Sequence, residues 1–147
     1  MELQSLGSGP TRYASSYIWC KVNGFKFNTK RHDIGLKTQN SGVLVIGCHD
    51  TETQNYYGEL TDIIEMQYLG GKRTVVFKCI WYDIHSGTTR LQIDKYGFAS
   101  INRRVKSQYQ NEPFILATQA KQVFYAKDIG NKPGWDIVTK TNPKYSN

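Results

Sequence analysis

From Tyr56 to Asp83 the chain runs through two long stretches rich in β-branched and aromatic residues, "YYGELTDIIEMQY" and "RTVVFKCIWYD", which meet at Gly70-Gly71. A glycine pair supplies the permissive backbone that a tight hairpin needs. This segment therefore predicts a long central hairpin and constrains the rest of the fold to β-structure built around it. Within "VVFKCIWYD" an extended backbone places Val75, Phe77, Cys79 and Trp81 on one face and Val76, Lys78, Ile80 and Tyr82 on the other. Both faces are largely apolar, so the strand is either central or spends one face on a partner. With the hairpin partner at 57–68, Phe77, Cys79 and Trp81 are assigned to the interior, and Lys78 and Tyr82 to the outward face. In the first run Leu60, Ile63 and Ile64 fit no single two-residue register, which predicts a bulge of the kind that curls a sheet.

The flanking sequence extends the same reading. Asn23-Gly24 lies between "YIWCKV" and "FKFN", a strong hairpin signal, so residues 17–22 and 25–28 are expected to pair. Residues 28–42 are polar, basic and aperiodic, and read as a loop. "GVLVIGCHD" at 42–50 is a continuous apolar run too short for a typical helix, and reads as a buried strand. Gly87 marks a turn before a short strand near Phe98–Ile101. "PFILATQAKQVFYAKD" permits a strand at 114–116, a helical turn at 117–121 and an extended piece at 123–126, and "GWDIVTK" closes the chain behind Pro133-Gly134. Seven or eight short strands at this turn spacing predict one mostly β domain, a curled SH3-like barrel with long loops and at most one short helix.

A chain of 147 residues is long enough for a hydrophobic core without disulfides or a structural metal. The domain is placed at residues 16–141, with 1–15 a Gly/Ser-bearing flexible arm and 142–147 a flexible C-terminus. Three widely spaced cysteines, Cys20, Cys48 and Cys79, sit among apolar or β-forming neighbours and are expected as reduced, buried thiols. No apolar run approaches a membrane span or a secretory signal, which points to an intracellular chain. Net charge is +7, and residues 101–147 carry eight Lys or Arg against three Asp or Glu. A basic surplus of this kind suits anionic partners.

Catalytic and metal-binding patterns are sparse. The cysteines and histidines show no paired ligand spacing, and Cys48 and His49 would point to opposite faces of a strand. There is no nucleophile elbow and no glycine-rich phosphate loop. Neither an enzyme nor a resident cofactor is expected. What stands out is aromatic and basic: ten tyrosines, with Tyr56, Tyr57, Trp81, Tyr82, Phe98, Tyr109, Tyr125 and Trp135 beside turns or at strand ends. Rings so placed can stack on bases or form a cage for a methylated ammonium. The basic segments offer phosphate contacts instead.

The order "FKFNTKRHD", "KTQNSGVLVIG", "YYGELTDIIEMQY", "VVFKCIWYD", "YGFASIN", "NEPFILATQAKQVFYAKD" and "WDIVTK" resembles, over residues 24–140, a plant domain of unknown function found in CACTA (En/Spm) transposase-like proteins. That resemblance implies a nuclear, transposon-derived context and a domain accessory to a catalytic region. A second likeness, to the bromo-adjacent homology (BAH) fold of chromatin proteins, rests on "YYGELTDIIE", the glycine hairpin, "VVFKCIWYD" and the closing "WDIV". It implies a barrel whose loops meet histones or other proteins. The leading expectation is a non-enzymatic nuclear module that binds a protein partner or histone tail through Tyr56, Tyr57, Tyr82, Phe98 and Tyr125. The alternative is an accessory DNA-binding domain that grips phosphate with Lys30, Arg31, Lys37, Arg103, Arg104 and Lys106.

Overall fold

Asn23 and Gly24 both take left-handed backbone, with φ of 50° and 82°, and so form the tight turn their sequence signals. The turn joins β2 (Trp19–Val22) to β3 (Phe25–Asn28), which pair antiparallel as a small sheet of their own. A computed structural model provides this architecture and describes residues 11–36, 39–49, 52–68, 70–84, 91–104, 114–127, 130 and 133–144.

The remaining strands form one nine-stranded sheet. They are β1 (Thr11–Tyr17), β4 (Gly42–His49), β5 (Glu52–Tyr68), β6 (Arg73–Trp81), β7 (Leu91–Ile93), β8 (Ala99–Asn102), β9 (Phe114–Leu116), β10 (Lys121–Lys127) and β11 (Trp135–Lys140). Their order is β7-β8-β11-β10-β4-β5-β6-β9, with β1 pairing β5 beyond the end of β4. The path ends at β7 and β9 without closing into a barrel among the described residues. Among the described residues there are also two short helical pieces: α1 (Lys30–Asp33), capped by Thr29 inside the segment read as a loop, and a 3-10 turn at Ala117–Gln119. Strand β1 begins inside the segment assigned to a flexible arm, since residues 11–15 already lie in it. Beyond the expected C-terminal boundary, Lys144 N donates to Gly24 O at 2.8 Å.

The central hairpin forms as expected, with Gly70 and Gly71 at φ of 89° and 86°. The expected bulge is present too. Register slips between Leu60, opposite Cys79, and Asp62, opposite Lys78. Thr61 is the extra residue, and its Oγ1 donates to the Lys78 carbonyl at 2.9 Å, satisfying an acceptor in the broken ladder.

Three apolar clusters explain why so many segments fail to alternate. The first holds Phe25, Phe27, Val43, Leu60, Ile63, Phe77 and Cys79. The second gathers Leu44, Tyr57, Tyr82, Ile101, Val123 and Tyr125, and a third collects Ile64, Met66 and Val76. Adjacent residues point to opposite faces of a strand. Val43 and Leu44, both fully buried, therefore serve different clusters, and β4 is covered on both sides. Ile63 and Ile64 divide in the same way. Phe27 and Phe77 meet edge to face at 5.1 Å, an arrangement that adds about 1 kcal/mol to the burial of the rings.

The expected faces of β6 need one correction. Phe77 and Cys79 are interior, but Trp81 is only partly buried, and Tyr82, assigned outward, is buried in the second cluster. The chain turns inward past the end of β6: Tyr82 N donates to Tyr57 O at 2.9 Å. The opposite face of the sheet is thus also packed at this point.

Candidate functional site

Two acidic residues sit in apolar company on strands, Glu59 between Gly58 and Leu60 and Asp136 between Trp135 and Ile137. A carboxylate cannot stay charged in such a place without a cation. Arg103, at the end of β8, supplies it. Its Nη1 lies 2.7 Å from Asp136 Oδ2, its Nη2 bonds Glu59 Oε1, and its Nε donates to the Tyr82 hydroxyl at 3.1 Å. Lys30, on α1, reaches the second oxygen of Glu59 at 2.9 Å. Two cations therefore balance two carboxylates. The Glu59 side chain is 5% exposed and that of Arg103 is 26% exposed, so the centre is buried with one edge open.

Aromatic rings enclose the guanidinium. Its central carbon lies 4.6 Å from the Tyr125 ring centroid and 5.6 Å from that of Tyr82, within cation–π range. The two rings meet edge to face at 5.7 Å. Tyr125 completes its hydrogen bonding by donating to Gly58 O at 2.8 Å. Burial pushes both phenols well above the ordinary tyrosine range. For Tyr82 the nearby Tyr125 and Asp136 add to the rise, whereas for Tyr125 the Arg103 charge partly opposes it.

This centre redistributes the expected binding residues. Tyr57, Tyr82 and Tyr125 are buried, so they are not an open surface for a partner. Tyr56 is partly buried, and Phe98 is exposed. In the basic set, Arg103 is held by two carboxylates and Lys30 by one, while Arg31 and Arg104 are exposed. Lys37 and Lys106 lie outside the described residues, as do Gly87, Tyr109 and the side chains of Cys48 and His49. Burial lifts the Cys20 thiol to about 11 and raises that of Cys79 further.

A different set of apolar groups faces solvent. Asp94 N donates to Phe98 O at 3.0 Å, and Asp94 Oδ1 accepts from Tyr96 N at 2.8 Å and Phe98 N at 2.9 Å, so the β7–β8 turn is well ordered. From it Ile93, Tyr96 and Phe98 project with 67%, 74% and 55% of their surface exposed. Sequence reasoning found Phe98 but missed its neighbours. The available signal was "IDKYGF", an Asx residue and a glycine set among three large apolar side chains with no complementary run to bury them.

Residues 64–138 match the family described as "Domain of unknown function (DUF4216)". The matched span begins within β5, later than the residue 24 at which the sequence resemblance starts, and it includes Tyr82, Arg103, Tyr125 and Asp136 but not Glu59. No curated protein and no solved structure matches the chain significantly. With half of its length covered by that match, the chain belongs to the DUF4216 family of domains of unknown function.

Proposed function

We propose that this chain is a non-enzymatic recognition module that docks a protein partner through the tip of the β7–β8 hairpin. One observation carries the reading: three large apolar side chains, Ile93, Tyr96 and Phe98, stand exposed on a turn held by its own hydrogen bonds. Large exposed apolar groups gathered on a rigid element mark interaction sites, because docking removes them from water without an ordering cost. A net charge of +7 opposes a basic histone tail, so an apolar or acidic segment is the better occupant.

The finer context is part of the same proposal. A nuclear, transposase-related role draws its support from the ordered motifs that resemble CACTA-encoded proteins. A BAH-like curl draws support from the bulge at Thr61 and from a β5 that pairs with β4, β1 and β6 in turn. Duplex DNA gripped by the basic loops is less favoured, because Arg103 and Lys30 already neutralise Glu59 and Asp136.

The test is a peptide library selected on the wild-type domain, with histone-tail peptides as a separate arm, followed by affinity measurements on Tyr96→Ser/Phe98→Ser. Selected peptides should lose at least about tenfold in affinity, with the thermal midpoint unchanged. Peptides that bind the double variant as well as wild type would overturn the reading.

A further inference from the structure

One face of the β2–β3 hairpin is turned into the core and the other is not. Cys20 and Val22 pack against the first apolar cluster, to which Phe25 and Phe27 belong. Alternation then puts Trp19, Lys21, Lys26 and Asn28 together on the outer face. Thr29 N donates to Ile18 O at 3.0 Å, so residues 18 and 29 face each other as a hydrogen-bonded pair. Trp19–Asn28 and Lys21–Lys26 are therefore non-hydrogen-bonded pairs of the ladder, the kind whose side chains stand closest. Lys26 Nζ accordingly lies 5.1 Å from the centroid of the Trp19 ring.

Asn28 is buried on this outer face because a turn from the next segment covers it. Its Nδ2 donates to Asp33 Oδ1 at 3.0 Å, and Asn40 N donates to Asp33 Oδ2 at 2.7 Å. Leu36 N closes the turn on Asp33 O at 3.0 Å. Ile34 at φ −59° and ψ 123°, followed by Gly35 at φ 85°, gives it type II geometry. The turn is thus anchored to the residue that pairs with Trp19, which brings Ile34 and Leu36 beside the hairpin face. All three side chains meet water, Trp19 with 47% of its surface, Ile34 with 76% and Leu36 with 48%. Turns are ordinarily built from glycine, proline and small polar residues, so folding gives no reason for two large aliphatic groups here. The charge beside them is positive. Lysines set directly opposite each other on one face repel, and an anion between them removes that cost.

The geometry points to a docking surface for an acidic segment of a protein partner that also carries large apolar side chains. A carboxylate pairs with Lys21 and Lys26, and the apolar anchors cover Trp19, Ile34 and Leu36. Charge complementarity selects an anion, and the aliphatic groups select among anions. A nucleic acid satisfies the lysines but has no use for Ile34 and Leu36, which offer no flat ring for a base, and Lys26 already lies over the Trp19 ring. An anionic membrane is less favoured, because three part-exposed side chains offer less apolar surface than one acyl chain, which by itself anchors only marginally. The surface goes beyond the hairpin-tip reading and shares no residue with it.

The experiment selects random peptides on the Tyr96→Ser/Phe98→Ser variant, so that the β7–β8 tip does not contribute, and measures the labelled peptides by fluorescence anisotropy at several salt concentrations. Recovered peptides should combine Asp or Glu with large apolar residues, bind wild type equally well, and weaken as salt rises. Lys21→Gln/Lys26→Gln should weaken them about tenfold and flatten the salt dependence, without lowering the thermal midpoint, because it removes a repulsion. Trp19→Ser/Ile34→Ser should also weaken them about tenfold, whereas Lys95→Gln on the β7–β8 hairpin should not. If the Trp19 variant does not fold, the lysine variant decides. The proposal is overturned if no peptide is recovered, if the recovered peptides lack acids, or if the lysine variant binds them as well as wild type. It is also overturned if an oligothymidylate, or vesicles of phosphatidylcholine and phosphatidylserine, bind as tightly and lose that binding in Lys21→Gln/Lys26→Gln. The hairpin-tip reading fails separately, on peptides that Tyr96→Ser/Phe98→Ser weakens and Lys21→Gln/Lys26→Gln does not.

Discussion

Tyr82 and Tyr125 face each other beneath Arg103, buried and hydrogen-bonded, whereas Tyr96 and Phe98 stand in solvent at the end of the β7–β8 hairpin. All four belong to the same aromatic surplus. Their fates differ because Tyr82 and Tyr125 sit where strands β4, β5, β10 and β11 run side by side and cover them, while β7 is a three-residue strand at the end of the sheet with too little neighbouring surface to bury its tip. Aromatic abundance thus reports two unrelated things here, a polar-centred core and an exposed edge. Only position in the sheet tells them apart.

The contrast is broken most sharply at Arg103. Arg103→Ala should destabilise the domain by about 3 kcal/mol or more in urea unfolding, because it leaves Glu59 and Asp136 as buried charges with only Lys30 nearby. Removing the ring in Tyr82→Ala should cost about 3 kcal/mol, the usual range for an aromatic deleted from a core, and the same assay reads it. Tyr125→Phe keeps the ring and should lose only about 1 kcal/mol, the net worth of its bond to Gly58 O.

Alkaline titration tests the buried pair in another way. Below pH about 10 the phenols are neutral in both folded and unfolded chains, so they contribute no pH dependence. Above that, the unfolded chain releases protons that folded Tyr82 and Tyr125 retain, and stability must fall as pH rises. Absorbance at the phenolate band should show these two tyrosines ionising together with unfolding. An early phenolate signal lost in both Tyr82→Phe and Tyr125→Phe would mean that the centre is open to solvent. The smallest effect is expected at the tip. Tyr96→Ala and Phe98→Ala should each change stability by no more than about 0.5 kcal/mol, since most of each side chain already faces water.

Much of the architecture was legible in short segments. Asn23-Gly24 and Gly70-Gly71 name their turns because few residue pairs adopt left-handed backbone cheaply. The mixed pattern of Leu60, Ile63 and Ile64 announced a bulge: Leu60 and Ile63, an odd number of residues apart, share one cluster because the ladder slips between them, while Ile64 serves the other face. Strand β7 escaped notice, since three residues are too few to establish a period. Strand β1 was passed over because its Ser- and Thr-bearing sequence has no apolar stripe, and its pairing is made by backbone to β5.

The candidate site was much less legible, for reasons visible in Glu59, Arg103 and Asp136. They are separated by 44 and 33 residues, and no local rule joins them. An acid inside an apolar strand does say that a cation must come from somewhere, and Arg103 was already conspicuous as a basic residue. Its apparent readiness for phosphate disappears once two carboxylates surround it.

By itself, the sequence determined the longer strands of this chain, its principal turns, the bulge in β5 and the surplus of positive charge, because each depends on residues close together in the chain. Tertiary structure alone decided which rings are core and which cations are already neutralised. Those outcomes depend on what is packed against a side chain, and in a sheet ordered β7-β8-β11-β10-β4-β5-β6-β9 the deciding neighbours come from distant parts of the sequence.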